Sequence, residues 1–595
     1  MSEKMNKKNS QFKFLSILYY IQLASAVLFS FLCLSFNADI SLLAFPISFI
    51  YTGITIYFVV YKSLIKTDGK FIIPTVKFTE YLPYALFIAF IFRRAGKTGT
   101  SFSIDVVTVI LWFIIFILAF FNARFLYPKY QKKNEKKDGI KNPYMRNKIF
   151  NSWSVVPVAK NYKGTGWLIY QFFDLLDAAV WAIFTVLIFQ IFVLQLYSIP
   201  SESMVPTFLV RDKVFVSKID CGPKFPLTDV GLPDFRKYKR GDTIVLRNPH
   251  YTINRQSEVK TVISNLVYMF TLTKVKINKD EYGEQKADPL VKRITGLPGE
   301  QLVMQDGVLY VRTKQSDEFV PSQIDAQYAK WNLNGIKGVS LESKTLQYLP
   351  LSESDYKAMT DFEQYRREYD LNKAAEEVQK IVEDLKLLCK NNVFSENFSA
   401  PKLIQMELFA YAYDYADSIT KQKGGMEWFS EFVTSWIESK DNKRDYYSEA
   451  NFRLNVISKV EFAKLIYRYA ELNTSEISSD QLSDSQIDEI FNNARILLWY
   501  VNNLLDQRNM PLFPANDANG NPSYIPENCY FMMGDNRFNS FDLRHSDTRS
   551  LKPLCVDDPY SVEYYSCMAP QYINKKYIIG KPVIRILPFN RIGRV

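Results

Sequence analysis

The chain has 595 residues, 48% of them hydrophobic, with a formal net charge of +11, two histidines and six cysteines. That length exceeds what one compact core supports, so two or more folding units are expected. The histidines, His250 and His545, stand far apart and no C-x-x-C pair occurs, which argues against a zinc site, and no cofactor is expected.

Four stretches, 14–35, 41–61, 103–123 and 178–197, are apolar over the length that a bilayer core requires. A fifth, TEYLPYALFIAFIFRR (79–94), is shorter. Topology argues for counting it. The basic N-terminus, MSEKMNKKNSQFK, and the basic run YPKYQKKNEKKDGIKNPYMRNKIF (127–150) both belong on the cytoplasmic side by the positive-inside bias. An even number of crossings must then separate them. The cost is that RRAGK falls on the opposite side. The run 127–150 is read as a cytoplasmic loop rather than a nucleic-acid or anionic-lipid patch, because apolar spans flank it, so no nucleic-acid partner is expected. The first apolar stretch exceeds a signal peptide's h-region and is read as an anchor. Residues 1–198 are thus expected to form a membrane region of about five helices with a cytoplasmic N-terminus and everything after residue 198 outside the cytoplasm.

After residue 198 the pattern changes to short β-rich pieces: DKVFVSKI (212–219), GDTIVLRNP (241–249), DGVLYVRT (306–313), NCYFMMGDN (528–536) and YIIGKPVIRILPF (577–589). From about 350 to 510 the character is helical. The run 354–391 opens after a Ser352–Asp355 capping box, and stretches from 402, 451 and 485 onward carry helix-spaced apolar residues. The expected fold is a multi-pass α-helical membrane region followed by a mostly β domain, its first part 199–313 and its second 523–595, interrupted by a largely helical insertion, 314–522. Five cysteines lie beyond residue 198, and Cys555 and Cys567 are spaced to close a small loop in an oxidising compartment.

The chemistry-bearing stretches lie in the β-rich part. LYSIPSESMVPTFLV (196–210) sets Ser201 and Ser203 in a Pro-bounded turn directly after the last apolar span. A serine hydroxyl needs a base to become a nucleophile. His250 and His545 (the latter near Asp547) are candidates, although no G-x-S-x-G elbow surrounds Ser203. Lys292, in DPLVKRITGLPGE (288–300), is the other. Its neighbours Leu290, Val291 and Ile294 would bury it, and burial can lower a lysine pKa by up to ~3–5 units. YFMMGDNRFNSFDLRHS (530–546) sets Ser540, Asp542 and Arg544 at alternating positions, hence on one face of an extended chain. Arg537 or Arg544 could pair there with Asp535 or Asp542, and a hydroxyl such as Ser540 could orient a neutral lysine amine. Each stretch alone also reads as an ordinary boundary turn, solvent-facing strand or polar hairpin.

Taken together and in this order, IPSESMVPT, KRGDTIVL (239–246), VKRITGLPGE, GDNRFNSFDLR and the chain-end YIIGKPVIRILPFNRIG (577–593) resemble bacterial type I signal peptidases, the Ser/Lys endopeptidases that remove signal peptides from exported proteins. The resemblance covers about a quarter of the chain. It implies a membrane-bound endopeptidase at the outer face of the cytoplasmic membrane whose substrates are exported preproteins. Carried over, Ser203 matches the nucleophile, Lys292 the general base and Ser201 an oxyanion-hole hydroxyl. Ser540 and Asp542 match supports of the lysine, and Asp535, Arg293 and Arg544 bracing charges. Ile199, Met204, Phe208, Leu290 and Val291 match positions near the small substrate pockets. Phe538 departs from the acidic residue usual at its position, and the spans outnumber the one or two usual in the family. The helical stretch has no recognised counterpart; it is read as a tolerated insertion or as a contact for translocation machinery. The alternative reading is a non-catalytic membrane assembly protein acting through that stretch.

Overall fold

The computed structural model describes residues 2–65, 72–126, 164–249, 251, 254–271, 274–275, 277–278, 288–333, 351–394, 412–475, 477 and 481–595. The basic run 127–150 and His250 lie outside them. The chain divides into two compact units, one drawn from 1–197, 215–236 and 251–287, the other from 198–214, 237–250 and 288–595.

The first unit is built on α1 (Ser2–Leu32), α2 (Ala44–Ile56, continued as a π-helix over Tyr57–Ile65), α3 (Ile72–Ala95), α4 (Phe102–Leu126) and α5 (Thr165–Phe192). Among the described residues, Ile40–Ile65, Pro74–Ala95, Phe102–Asn122 and Leu175–Phe192 are long and apolar enough to cross a membrane, and Ser16–Leu32 is a shorter apolar helix. The stretch from 79 is therefore part of a full-length candidate span, because its helix begins earlier than its apolar run. The first stretch is the shorter one. Side chains such as Leu28, Ile110, Phe172 and Leu175 stay exposed, as they would against lipid, whereas Phe29, Leu86, Phe90, Trp112 and Ile115 pack together. Some polar groups in this core are partnered across helices: Tyr19 Oη donates to the Asn122 carbonyl, and Asn122 Nδ2 donates to Gln22 Oε1 at 2.6 Å. Such bonds satisfy groups that hydrocarbon cannot solvate. Two short strands, β1 (Leu194–Ser198) and β2 (Lys213–Ser217), follow α5. Phe225 from the loop beyond β2 sits among the rings of Phe90, Trp112, Phe113 and Phe192.

The second unit contributes β3 (Thr243–Leu246). A helix not foreseen from the sequence, α6 (Arg255–Phe270), follows it in the chain and belongs to the first unit, with Leu266 against the helical core. Then come β4 (Leu290–Gly296), β5 (Glu300–Gln305), β6 (Val308–Thr313), β7 (Ser316–Pro321) and the short α7 (Gln323–Tyr328). The helices α8 (Glu353–Glu368), α9 (Leu371–Asn391), α10 (Ala412–Lys421), α11 (Gly425–Thr434), α12 (Tyr446–Thr474), α13 (Asp484–Asn503) and α14 (Leu505–Arg508) follow. The Ser352–Asp355 capping box is present. The run 354–391 breaks into two helices because the Asp370 side chain accepts the backbone N–H groups of Asn372 and Lys373 and starts a new one. The chain ends with β8 (Met510–Phe513), β9 (Cys529–Met533), β10 (His545–Pro553), β11 (Glu563–Met568), β12 (Ile573–Asn574), β13 (Ile578–Leu587) and β14 (Gly593–Arg594).

Within this unit β13, β3, β4, β9 and β12 run side by side, all neighbours antiparallel, with Lys292 opposite Ile244 and Arg293 opposite Met533. A second sheet has the order β7-β6-β5-β8, so strands on both sides of the helical segment, β7 and β8, flank the same hairpin. Cys555 and Cys567 are not joined in a disulfide.

The long α12 is locked to the turn between β10 and β11 by an ion pair with no exposed surface on either side chain, Lys459 with Asp558. Ser435 Oγ donates to Asp558 at 2.6 Å and Asn455 Nδ2 at 2.8 Å, completing the carboxylate's shell. Removing one partner leaves a buried charge uncompensated. Asp558→Ala is expected to cost about 3–5 kcal/mol in denaturant unfolding of the purified protein. A loss under about 1 kcal/mol would show the pair to be solvated after all.

Candidate active site

The Ser203 loop, 199–212, is closed at its base by Ile199 N–H to the Asp212 carbonyl at 2.9 Å and Arg211 N–H to the Ile199 carbonyl at 2.8 Å. Inside it, the N–H groups of Val205 and Phe208 bond back to the carbonyls of Glu202 and Met204. Ile199, Met204 and Phe208 are buried and anchor the loop, while Leu290 and Val291 on β4 are half-buried. These inward apolar anchors leave Ser201 exposed and Ser203 half-exposed, with their Oγ atoms 3.4 Å apart.

Lys292 sits on β4, between β3 and β9, and is 2% exposed. Its Nζ donates to Ser203 Oγ at 2.8 Å, joining residues 89 apart in sequence. Burial pushes the Lys292 amine down to about 8; Asp542 and Asp535 pull it up and Arg544 pushes it down. Burial wins because the carboxylates beside it are already paired. Asp542 accepts Arg544 Nε at 2.9 Å and Nη2 at 3.1 Å. Although burial opposes ionisation, the Arg544 guanidinium holds the Asp542 carboxyl well below the usual carboxylate range. Asp535 accepts Arg293 Nε at 2.7 Å and Nη2 at 2.6 Å, a bidentate pair, and also Thr207 Oγ1 at 2.5 Å.

The turn after β9 is seated on the serine loop. Asn536 N–H donates to the Ser203 carbonyl at 3.1 Å, Asn536 Nδ2 to the Glu202 carbonyl at 3.2 Å, and Gly534 N–H to Asp542 Oδ2 at 2.9 Å. A Cβ on Gly534 would lie within 3 Å of both the Ser203 carbonyl oxygen and Ser540 Oγ, so glycine is required there. Ser540 is buried and its Oγ has no hydrogen-bond partner among the described residues, so the expected bond from Ser540 to the lysine amine is not made.

Of the pairings offered for this turn, Arg544 with Asp542 is made. Arg537 pairs with neither Asp535 nor Asp542. Its guanidinium binds both oxygens of Asp325 on α7, because Arg293 and Arg544 already occupy the nearer carboxylates. Phe538, which departs from the acid usual in the family that the motifs resemble, is 7% exposed and packs edge-on to Trp331 with centroids 5.1 Å apart. His545 does not take the base's place: its Nε2 faces the Asp506 carbonyl at 3.4 Å, and burial, with Arg544 nearby, pushes the ring down to about 4. Sequence reasoning missed Thr207, Asn536, Asp325 and Tyr328. The first two lie inside motifs already singled out. Asp325 is 212 residues from its partner and carries no local signal. A cleft of about 970 Å³ in this unit, lined in part by Arg312, Phe319, Tyr446 and Cys555, contains none of the predicted site residues.

Residues 172–379 match the family described as signal peptidase, peptidase S26. Signal peptidase I of Buchnera aphidicola subsp. Schizaphis graminum is 31% identical over 147 residues, 25% of this chain and 40% of the relative. Signal peptidase I of Pseudomonas aeruginosa is 28% identical over 188 residues, 32% of this chain and 50% of the relative. The chain therefore spans half or less of the length of these curated relatives. No solved structure matches it at a significant level. Motifs, family match and relatives converge: the stretch that holds Ser203 and Lys292 is similar to the bacterial type I signal peptidases.

Proposed function

We propose that the protein is a membrane-bound serine endopeptidase that cleaves signal peptides from exported preproteins. The observation that carries this is the 2.8 Å contact between Ser203 Oγ and a buried lysine amine whose pKa is about 8. At that pKa about one amine in ten is neutral at pH 7, enough to act as a base. The neutral amine accepts the Ser203 proton as Oγ attacks the scissile carbonyl. Ser201 Oγ and the Ser203 N–H stabilise the oxyanion, each donor contributing on the order of 3 kcal/mol. The protonated Lys292 then hands its proton to the leaving amine, and water, deprotonated by the same lysine, releases the acyl-enzyme.

Asp542 with Arg544 and Asp535 with Arg293 brace the site, and Ser540 supports it through the Gly534 turn. Ile199, Met204, Phe208, Leu290 and Val291 shape the contacts to small substrate side chains. Ser203 follows the last apolar span closely in sequence, which suits a cleavage site emerging at the outer face of the cytoplasmic membrane. The N-terminus is on the cytoplasmic side. The segment between β7 and β8 is a helical insertion in a β catalytic domain, a candidate contact for translocation machinery.

In a preprotein-cleavage assay with the detergent-solubilised full chain, Ser203→Ala is expected to fall to background and Lys292→Ala to lose about 10²–10⁴-fold in kcat, with circular dichroism unchanged. Wild-type rates in either variant would overturn the dyad. The pH profile supplies a second check. Protonated Lys292 cannot accept a proton, so kcat/KM should fall about tenfold per pH unit below about 8 and level off above it. A profile flat down to pH 5 would overturn a lysine base.

A further inference from the structure

The bracing of Asp535 and Asp542 leaves one strong charge of the turn unexplained, the Arg537 guanidinium, 1% exposed. Its Nε donates to the Gly534 carbonyl at 3.0 Å and its two Nη atoms grip Asp325, itself 4% exposed. Arg537 thus ties the carbonyl of Gly534, whose Cα abuts Ser203 and Ser540, to a residue outside every motif read from the sequence. Asp325 lies on α7, one turn before Tyr328, so the two share a face. Tyr328 lies 3.7 Å from the Arg293 guanidinium, measured to the ring centroid, and Arg293 is the arginine that holds Asp535. Tyr328 and Ile324 also pack on Gly241, whose carbonyl accepts Arg293 Nη1 at 2.6 Å. Just past α7, Lys330 bridges in parallel to Asn536: its N–H donates to the Asp535 carbonyl at 2.8 Å, and its carbonyl accepts Arg537 N–H at 3.3 Å. Asn536 is the residue whose N–H holds the Ser203 carbonyl.

We propose that Asp325 is a positioning residue for the Ser203–Lys292 site, acting through Arg537 to fix the 534–537 turn that seats the nucleophile loop. The proposal rests on the peptidase reading for its kinetic consequence but not for its structural one. Phe538 gives the turn no charge, so the counter-ion for its buried arginine comes from α7 instead. A neutral residue at 325 leaves Arg537 buried without a counter-ion, and the turn relaxes to solvate it. Ser203 then shifts relative to Lys292, and displacements of about 1 Å in such a site cost on the order of 10²-fold in rate.

The test uses the full chain in detergent, with preprotein-cleavage kinetics, thermal unfolding, and amide hydrogen exchange of peptides covering 531–540. Asp325→Asn is expected to lower kcat at least tenfold with KM within twofold. Exchange in 531–540 should speed up at least tenfold while peptides from β13 stay unchanged, and Asp325→Glu should recover part of kcat. Arg537→Lys, which keeps a cation but cannot reach both Asp325 and the Gly534 carbonyl, should reproduce the kcat loss and guards against an Asn variant that fails to fold. If wild type cleaves, Ser203→Ala does not, and both the Asp325→Asn and Arg537→Lys variants keep wild-type kcat and exchange, the positioning role is overturned while the peptidase reading stands. A kcat loss that only tracks a lower unfolding midpoint, with no recovery in Asp325→Glu, also overturns it. If wild type fails to cleave any preprotein, the peptidase reading falls, and faster exchange confined to 531–540 in Asp325→Asn still supports the role of Asp325 in holding the turn.

Discussion

A lysine amine held out of water beside a serine hydroxyl is the constraint around which the second unit is arranged. Lowering the amine from 10.5 to about 8 means disfavouring its charged form by roughly 3 kcal/mol, at about 1.36 kcal/mol per unit. Burial on an interior strand supplies that. Any bare carboxylate nearby would cancel it, since an opposite charge favours the ammonium form. The two carboxylates that act on Lys292 are each matched to an arginine, Asp542 to Arg544 and Asp535 to Arg293. The polar surroundings are therefore nearly neutral in sum, and desolvation decides the protonation state.

That balance reaches well beyond the strands. Arg544 also donates to the Gln507 carbonyl on α14 at 2.8 Å and to the Arg537 carbonyl at 3.2 Å. Arg508, next in the chain, is held by both oxygens of Glu363 on α8 and lies 4.4 Å from the Trp331 ring centroid. Trp331 in turn covers Phe538. Where the resemblance leads one to expect an acid at 538, this chain has an apolar ring with an apolar partner. The residues between β7 and β8 thus supply packing, a counter-ion and a carbonyl acceptor to the turn that touches Ser203. A segment peripheral to the site would not be woven into its charge pairs in this way.

The first unit is packed on a different pattern. Its helices leave apolar side chains uncovered and join some of their buried polar groups across helices, an arrangement compatible with contact with lipid. Phe225 fills the aromatic core between α3, α4 and α5 although it lies on a loop after β2, so a β-region residue completes a helical core.

Much of this was legible in the chain itself. Runs of about 20 apolar residues announce spans, β-branched pieces bounded by turns announce strands, and Ser352 with Asp355 announces a helix start, because each depends on neighbours within a few residues. The motifs around Ser203, Lys292 and Asp542 could be located, and apolar flanks made a buried Lys292 reasonable. Tertiary structure decided the rest. It brought Lys292 to Ser203, withheld a hydrogen bond from Ser540, turned His545 toward the Asp506 carbonyl, and gave Arg537 to Asp325 rather than to either nearby aspartate. Those outcomes depend on which groups meet across 39, 89 or 212 residues of chain and on how much water each loses, and neither is encoded in local spacing.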